Sequence, residues 1–272
     1  MVRMINLIED TPGAYGCSYE HGLSFYIKTK HHKILFDTGA SGLFLKNAEY
    51  LGLDLTEIDT VILSHGHYDH GGGLLEFAKI NPKAQIYVRE NAFLPYYHKH
   101  PENHRYIGLD PRIESLAQVV KVTQDLVIDE ELSLFTNVKG RTLWPSGNRE
   151  LAVKVKDRME QDEFSHEQYL VITDGEKKYL ISGCAHNGIL NILDACKKKE
   201  GRMPDVVVSG FHMMKKQGYT EEDYEMIRKT AKDLKNLPIR FFTGHCTGEI
   251  PYQIMKEILG ERIQYIHSGD KL

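Results

Sequence analysis

The sequence predicts one α/β layered domain with two strand-rich halves. Short apolar and β-branched runs alternate with helical patterns along all 272 residues. Hydrophobic residues make up 41% of the chain and charged residues 26%, which is enough apolar surface for a sizeable core. No fixed-period repeat or low-complexity tract divides the chain. These observations favour a single large layered domain over a repeat array or a disordered chain.

The first half contains four predicted strands and two predicted helices. The apolar runs in LSFYIKTKHHKILFDTG are separated by a polar, basic turn, so they indicate two strands. DTVILSH is a β-branched run typical of a buried strand that ends at His65. The predicted strands lie at residues 23–27, 34–36, 59–65 and 84–91, and the predicted helices at residues 43–52 and 72–81.

The second half repeats this style without repeating the sequence. YLVITDGEKKYLISGC predicts a hairpin with Asp174 and Gly175 at its turn. An amphipathic helix is predicted to begin at Thr220 in TEEDYEMIRKTAKDLKNL. The remaining elements are a helix at 188–196 and strands at 204–210 and 239–246.

Residues 93–112, FLPYYHKHPENHRYIGLDPR, are rich in aromatic, basic and proline residues and have no clear periodicity. This composition fits either a poorly ordered linker or an ordered lid over a site. The aromatic side chains favour the lid, because long loops in compact domains commonly serve function.

Composition also limits the classes of binding partner and the cellular compartment that we expect. The formal net charge is −4, from 38 acidic and 34 basic residues, which argues against a nucleic-acid partner held by a broad positive field. The sequence shows no signal-peptide pattern and no run near the roughly 20 apolar residues that span a bilayer. The four cysteines form no C-x-x-C pair. We therefore expect a cytoplasmic protein with a small-molecule substrate and with no nucleic-acid or membrane partner. Both a monomer and a homo-oligomer are compatible with the sequence.

Residues 64–73, SHGHYDHGGG, concentrate three histidines and an aspartate within six positions. Because side chains alternate along a strand, His65 and His67 are expected on the same side. Asp69 and His70 fall in the turn that leads to the next helix. This pattern offers two imidazoles to one cation and a carboxylate with a third imidazole to a second, a donor set that suits Zn²⁺, Fe or Mn²⁺. A histidine-rich surface loop is the alternative, and the tight spacing after a buried strand favours the metal site.

The motif resembles the His-x-His-x-Asp-His signature of the metallo-β-lactamase superfamily. The stretches EHGLSFYI, ILFDTG, SGCAHNGILNIL, SGFH and TGHCTG resemble one branch of it, the cytoplasmic metal-dependent hydrolases related to the archaeal dihydropterin synthase of methanopterin biosynthesis. The resemblance implies a four-layer αβ/βα sandwich of two mixed sheets with helices outside. It covers nearly the whole chain, so we expect one domain over residues 1–272, with residues 93–112 as a lid-like insertion.

The resemblance also implies a set of metal ligands. His65 and His67 match ligands of a first metal, while Asp69, His70 and His245 match ligands of a second. Asp37, in ILFDTG, resembles an early aspartate that supports the site from behind the ligands.

The chain departs from the superfamily pattern at two positions. The loop MEQDEFSHEQYLV offers no clean equivalent of the usual third histidine of the first metal, and its His166 is expected to be structural or solvent-facing. Cys184 occupies the position of the usual bridging aspartate, and His186 follows two residues later. We expect His186 to complete the first site. Cys184 is either a thiolate ligand, which would favour zinc, or a small buried residue.

Other residues are candidates for contact with the substrate. His212 ends a predicted strand at the same edge, and His21 precedes another strand; each is either a substrate contact or a loop anchor. Tyr97 and Arg105 of the predicted lid could clamp an aromatic, anionic substrate or could serve packing alone. Cys246, next to His245, is expected to shape its loop.

We therefore predict a metal-dependent hydrolase of a small-molecule ester or phosphoester with a dinuclear metal site and a hydroxide shared by two cations. Zn²⁺ is the expected ion, with Mn²⁺ or Fe as alternatives, and Asp69 is the expected catalytic residue. A dihydropterin-type transferase that releases diphosphate from a phosphorylated or pterin-like substrate is one alternative. A non-catalytic metal-binding or di-iron electron-transfer module is another, although His67 stands where di-iron relatives usually carry glutamate.

Overall fold

The computed structural model describes residues 1–13, 16–100 and 102–272. Its first large sheet has six strands, with antiparallel pairing at one side and parallel pairing at the other. In spatial order these strands are β1 (Arg3–Ile8), β2 (Ser24–Lys28), β3 (Lys33–Phe36), β4 (Thr60–Leu63), β5 (Gln85–Arg89) and β8 (Val119–Val122).

The second large sheet has seven strands and the same division into a parallel and an antiparallel part. In spatial order its strands are β17 (Ile263–Tyr265), β16 (Arg240–Thr243), β15 (Val206–Val208), β14 (Lys177–Ile181), β13 (Gln168–Asp174), β10 (Leu132–Thr136) and β9 (Leu126–Val127). The predicted hairpin is present: Asp174 pairs with Lys177 across a turn that contains Gly175, whose φ is 62°.

A third, antiparallel sheet of four short strands was not predicted from the sequence. It pairs the segment 93–112 with a hairpin from the middle of the chain, so the segment is ordered by strand pairing across its described residues. In spatial order its strands are β12 (Arg158–Gln161), β11 (Leu151–Val155), β6 (Tyr96–His98) and β7 (Arg105–Tyr106).

Six α-helices lie within residues 1–13, 16–100 and 102–272. They are α1 (Leu43–Tyr50), α2 (Tyr68–Gly71), α3 (Leu74–Ile80), α4 (Ile189–Glu200), α5 (Glu221–Lys235) and α6 (Glu249–Leu259). The prediction for α5 is confirmed, because Thr220 caps it in a reciprocal capping box with Asp223. Among the described residues, no helix is both long and apolar enough to cross a membrane.

Three apolar clusters show how the layers pack. Side chains from both large sheets, such as Phe36 and Leu170, form the cluster between them. Phe44 of α1 and Phe77 of α3 pack on the outer face of the first sheet. Residues of α4, α5 and α6, such as Ile227, cover the outer face of the second sheet. The order helix, sheet, sheet, helix is the predicted four-layer arrangement, and that prediction is confirmed.

The sequence patterns did not predict strands β1, β8, β9, β10 and β17 or helices α2 and α6. One difference in a predicted boundary bears on the candidate site. β4 ends at Leu63 rather than at His65. The backbone N–H of Ser64 donates a 2.7 Å hydrogen bond to the Asp37 carboxylate, so the chain leaves the ladder one residue before the first histidine.

Candidate metal centre

The candidate site lies where loops from the two large sheets meet, beyond the carboxyl ends of their strands. Four non-glycine residues in these loops have positive φ: Asp37 (57°) after β3, Ala185 (54°) after β14, His212 (48°) after β15 and His245 (49°) after β16. This backbone region is uncommon for residues with a side chain, and such residues cluster at functional sites. Backbone strain therefore marks this edge of the molecule.

The first donor set consists of three buried histidines, His65, His67 and His186. The Nε2 atom of His65 lies 3.0 Å from Nδ1 of His67. The His186 ring centroid lies 4.9 Å from that of His65 and 5.0 Å from that of His67. The fold thus brings together the three histidines that the sequence assigned to a first metal.

The second donor set consists of Asp69, His70, Cys184 and His245, all buried. The Asp69 Oδ2 atom lies 3.7 Å from Nε2 of His70 and 3.4 Å from Nε2 of His245. The Cys184 sulfur lies 3.2 Å from Nε2 of His70. The Cys184 sulfur also lies within 4.8 Å of a ring nitrogen of His65 and of His186, so it is located between the two donor sets.

Protein groups hold the outward nitrogens of the histidines. Four Nδ1 atoms face a protein oxygen, which leaves each Nε2 directed toward the donor sets. These contacts are His65 with Ser64 Oγ (2.8 Å), His70 with Asp37 Oδ2 (2.7 Å), His186 with Asn148 Oδ1 (3.0 Å) and His245 with Asp10 Oδ1 (2.5 Å). Metal-ligating histidines are typically oriented in this way by a partner on the second nitrogen.

The converging atoms fit divalent cations. The Nε2 atoms of His186 and His245 are buried and have no hydrogen-bond partner among the described residues. An unpaired buried polar group costs about 1–3 kcal/mol, which a bound cation would offset. The donor-to-donor distances of 3.0–3.7 Å bracket the roughly 3.3 Å that separates two nitrogens on tetrahedral zinc. Imidazole, carboxylate and a single thiol suit zinc.

Burial and neighbouring groups set the charges of the ligands. Burial lowers the pKa of His67 to about 3 and the pKa values of His65 and His186 well below their usual range. Burial raises the pKa of Asp69, but the neighbouring imidazoles of His70, His245 and His21 outweigh burial and hold that pKa well below its usual range. At neutral pH the first donor set therefore offers neutral imidazoles, the protonation state that binds metal. Burial lowers the pKa of His245 in the second set, but the carboxylates of Asp10 and Asp69 outweigh burial and raise that pKa well above its usual range, so metal binding there would release a proton from His245.

Two buried glutamates, for which the sequence patterns predicted no role, hold the ligand loops. Glu167 accepts hydrogen bonds from the backbone N–H groups of His186 (2.7 Å) and Asn187 (2.8 Å). Glu9 accepts one from the backbone N–H of His245 (2.7 Å). Each carboxylate thus fixes the turn that presents a histidine of one donor set.

The mouth of the site contains His21 and Asp10. The His21 side chain is 41% exposed, and its Nε2 atom lies 3.5 Å from Oδ2 of Asp69. Asp10 holds the other His21 nitrogen at 2.7 Å and also contacts His245. Sequence reasoning missed Asp10, although carboxylates that directly follow an apolar run, as in NLIED, are a usable signal.

The segment 93–112 reaches the site through Tyr96. The Tyr96 ring is buried, and its centroid lies 5.9 Å from that of His67. Tyr97 instead packs edge-on against Tyr106, with the centroids 5.4 Å apart. Arg105 is exposed on β7. Substrate contact by Tyr97 and Arg105 stays a prediction.

His166 is not solvent-facing, and a structural role for it stays a prediction. Its side chain is fully buried, its Nδ1 accepts a 2.9 Å hydrogen bond from the backbone N–H of Gly66, and its Nε2 lies 3.0 Å from Asp162. Asp162 and His166 lie within 4.8 Å of a ring nitrogen of His67. This buried pair lies behind His67 of the first donor set. The sequence of this loop did not distinguish these two residues from its other acidic side chains.

His212 lies beside the first donor set. Its ring centroid is 4.1 Å from that of His186, and its backbone N–H donates to the sulfur of Cys246 at 3.3 Å. Cys246 does lie in the loop that carries His245, as predicted, and Thr247 Oγ1 ties that loop to Phe211 at 2.9 Å. The position of His212 is compatible with either contact to substrate or anchoring of its loop.

Residues 19–233 match the family model described as the metallo-β-lactamase superfamily. The chain belongs to that superfamily. Its members typically are metal-dependent hydrolases that bind divalent metals, often zinc.

Two relatives resemble this superfamily member over nearly their whole length. The 7,8-dihydropterin-6-methyl-4-(β-D-ribofuranosyl)-aminobenzene-5′-phosphate synthase of Methanocaldococcus jannaschii is 29% identical, over 98% of this chain and 95% of the synthase. The crystal structure of Tm1679, a metal-dependent hydrolase of the β-lactamase superfamily, is 31% identical, with a TM-score of 0.85 over 100% of this chain and 98% of that one. The branch predicted from the sequence motifs is thereby confirmed.

A more distant structure supports the fold alone. The metallo-β-lactamase fold protein YhfI from Bacillus subtilis has a TM-score of 0.59 at 12% identity, over 100% of this chain and 98% of that one.

Proposed function

We propose that this protein hydrolyses an ester or phosphoester bond in a small molecule at a dinuclear metal centre. The observation that carries the proposal is the orientation of the histidines. Protein oxygens hold four Nδ1 atoms from outside, so the Nε2 atoms converge on two adjacent donor sets. A purely structural histidine cluster would not leave buried nitrogens of His186 and His245 without partners.

The two donor sets would hold one cation each. Cys184 favours zinc over Mn²⁺ or Fe, because a thiolate is a soft ligand. Divalent cations bound here would supply Lewis acidity and a nucleophile at neutral pH. The proposed ligands are His65, His67 and His186 for the first cation, and Asp69, His70, His245 and Cys184 for the second.

Asp69 is the proposed catalytic residue of the chain itself. Its carboxylate stays ionised at neutral pH, since its neighbours hold the pKa well below the usual range. Its Oδ2 atom is the point where the buried set meets exposed His21, 3.5 Å away. Asp69 can therefore orient a nucleophile that enters from the mouth and can accept its proton.

The substrate is proposed to be a small polar molecule, phosphorylated or pterin-like, that enters past His21. The exposed imidazole of His21 can contact an anionic group, and Asp10 fixes its orientation. Arg105 and Tyr97 of the small sheet are proposed to contact the same substrate. The four cysteines are free thiols, which supports a reducing, cytoplasmic setting.

A dihydropterin-type transfer reaction is the second candidate. The similarity to the M. jannaschii synthase over 98% of this chain favours it. In that reaction the same cations would neutralise a diphosphate leaving group, and the same residues would hold them.

A metal-reconstituted activity screen over phosphodiesters, thioesters, lactones and pterin precursors tests the proposal. We expect turnover of one class, and we expect His67→Ala and Asp69→Ala to lose it together with bound metal while the protein stays folded. Full metal content in both variants would refute the assigned site. Metal binding without turnover of any class would refute the hydrolase and the transferase and would favour a binding module.

A further inference from the structure

A sulfur-rich cluster lies beside the two donor sets. It consists of Cys184, His212 and Cys246, and one ligand atom of each residue lies within 4.8 Å of the ligand atoms of the other two. The three residues come from the loops after β14, β15 and β16, which are adjacent parallel strands. Three neighbouring loops of one sheet therefore bring two thiols and an imidazole together.

The contacts around Cys246 hold its sulfur in place. The backbone N–H of His212 donates to this sulfur at 3.3 Å, and the thiol lies 3.5 Å from the carbonyl oxygen of Cys184. Gly210 makes the room, because a Cβ atom at that position would stand 2.4 Å from the Cys246 sulfur. Both cysteines are buried, with 3% exposure for Cys184 and 5% for Cys246.

The imidazole of His212 supplies an independent sign of a ligand. Its Nδ1 atom is buried and lacks a hydrogen-bond partner among the described residues. Buried polar atoms are satisfied in the great majority of cases, so this atom needs an explanation. Packing alone would explain two buried thiols but does not explain a buried imidazole nitrogen beside them that has no partner within hydrogen-bond distance.

We propose that Cys184, His212 and Cys246 form a binding site for a soft cation such as Zn²⁺, Cd²⁺ or Cu⁺. Two sulfur donors and one nitrogen donor match the preferences of these ions and not those of Mg²⁺ or Ca²⁺. Cys184 belongs to this site and to the second donor set, so its thiolate is shared between them. Cys246 is thereby a metal ligand and not only a residue that shapes the loop of His245.

The site requires two thiolate ligands where the proposed dinuclear centre requires one. Cadmium distinguishes these cases, because each thiolate bound to Cd²⁺ adds to an ultraviolet charge-transfer band. The full chain is stripped of metal with a chelator and titrated with Cd²⁺. We expect Cys246→Ser to reduce the band by about half and Cys196→Ser to leave it unchanged. Cys196 is the matched control, since it lies on the buried face of α4, in the core between that helix and the second sheet.

His212→Ala provides a second measurement that does not depend on the fold of the Cys246 variant. We expect it to lower the number of Cd²⁺ ions retained per chain after gel filtration, with an unchanged circular dichroism spectrum. A band of equal size in the wild type and Cys246→Ser would overturn the proposal, as would full Cd²⁺ retention in His212→Ala.

This test is distinct from the test of the dinuclear centre. His67→Ala removes a ligand of the first donor set and leaves both sulfurs in place. If the centre holds metal as proposed, that variant loses metal while the charge-transfer band persists. A band reduced by about half in Cys246→Ser, with metal fully retained in His67→Ala, would support the sulfur site and refute the first donor set.

Discussion

Nδ1 of His70 lies 2.7 Å from the Asp37 carboxylate, and both side chains are fully buried. The same carboxylate accepts from the backbone N–H and the hydroxyl of Ser64, each at 2.7 Å. Asp37 thus joins the end of β3 to the motif after β4 and fixes the orientation of a ligand in the second donor set. A positioning role of this kind has measurable consequences.

Asp37→Ala is expected to weaken metal binding by about 10–100-fold, the usual effect of removing the partner of a ligating histidine. Chelator-competition titration measures the affinity directly. Asp157→Ala, an exposed aspartate in the turn between β11 and β12, is the control and should bind like the wild type. Unchanged affinity in Asp37→Ala would show that His70 needs no support from Asp37.

Asp10→Ala is expected to affect the two cations unequally. Asp10 contacts His245 of the second set and His21 at the mouth, and it has no recorded contact with the first set among the described residues. We therefore expect the metal content to fall by about one ion per chain, with the first ion retained. Elemental analysis measures the metal content. The control is Asp194→Ala, because the Asp194 side chain lies on the exposed face of α4. Loss of both ions, or of neither, would contradict the division into two sets.

The small sheet is expected to act on substrate binding more than on chemistry. Arg105 and Tyr97 lie on its strands, away from the ligands, so Arg105→Ala and Tyr97→Ala should raise KM with little change in kcat. The same outcome is expected when the segment 93–112 is shortened. Steady-state kinetics with the substrate found in the screen measures it. An unchanged KM with a collapsed Tm would assign these residues to packing alone.

His32 predicts a pH dependence of stability that is separate from the site. Its ring lies 2.8 Å from Asp59 and 2.5 Å from Asp129, and so links the first sheet to the second. Burial lowers the His32 pKa, but hydrogen bonds with both aspartates outweigh this and leave it raised above 6.5. A histidine whose pKa is higher in the folded than in the unfolded protein stabilises the fold at pH values below its unfolded-state pKa. This contribution is lost as the pH rises through the folded-state pKa.

Denaturant unfolding of the wild type and His32→Gln at about pH 6 and about pH 8.5 checks this sign. The wild type should be the more stable of the two at the lower pH, and the difference should shrink at the higher pH. A difference that stays constant would mean that His32 is not charged in the folded protein.

Most residues of the two donor sets could be placed near one another from the sequence, because a local pattern contains four of them. The spacing of histidines and aspartate in residues 64–73 indicates a metal motif, and the helix start at Thr220 predicts α5. Cys184 and His186 required the resemblance to a family, since nothing local separates them from core residues. The helix and strand patterns likewise predicted the two strand-rich halves.

Apart from Asp37, the supporting residues could not be predicted, because the order and register of the strands decide which side chains meet. Asp10 and His245 are 235 residues apart in sequence. They meet only because β1 and β16 end at the same edge of the layered sheets. Asn148 and Asp162 come from loops of the small sheet, whose short strands have no strong pattern. Glu167 adjoins β13 and acts on a turn after β14, a contact that depends on hairpin register.

Anomalous diffraction from zinc-loaded crystals tests the central claim most directly. The account predicts one peak among His65, His67 and His186 and another among Asp69, His70, Cys184 and His245. Zinc peaks only at surface sites, with neither donor set occupied, would contradict it.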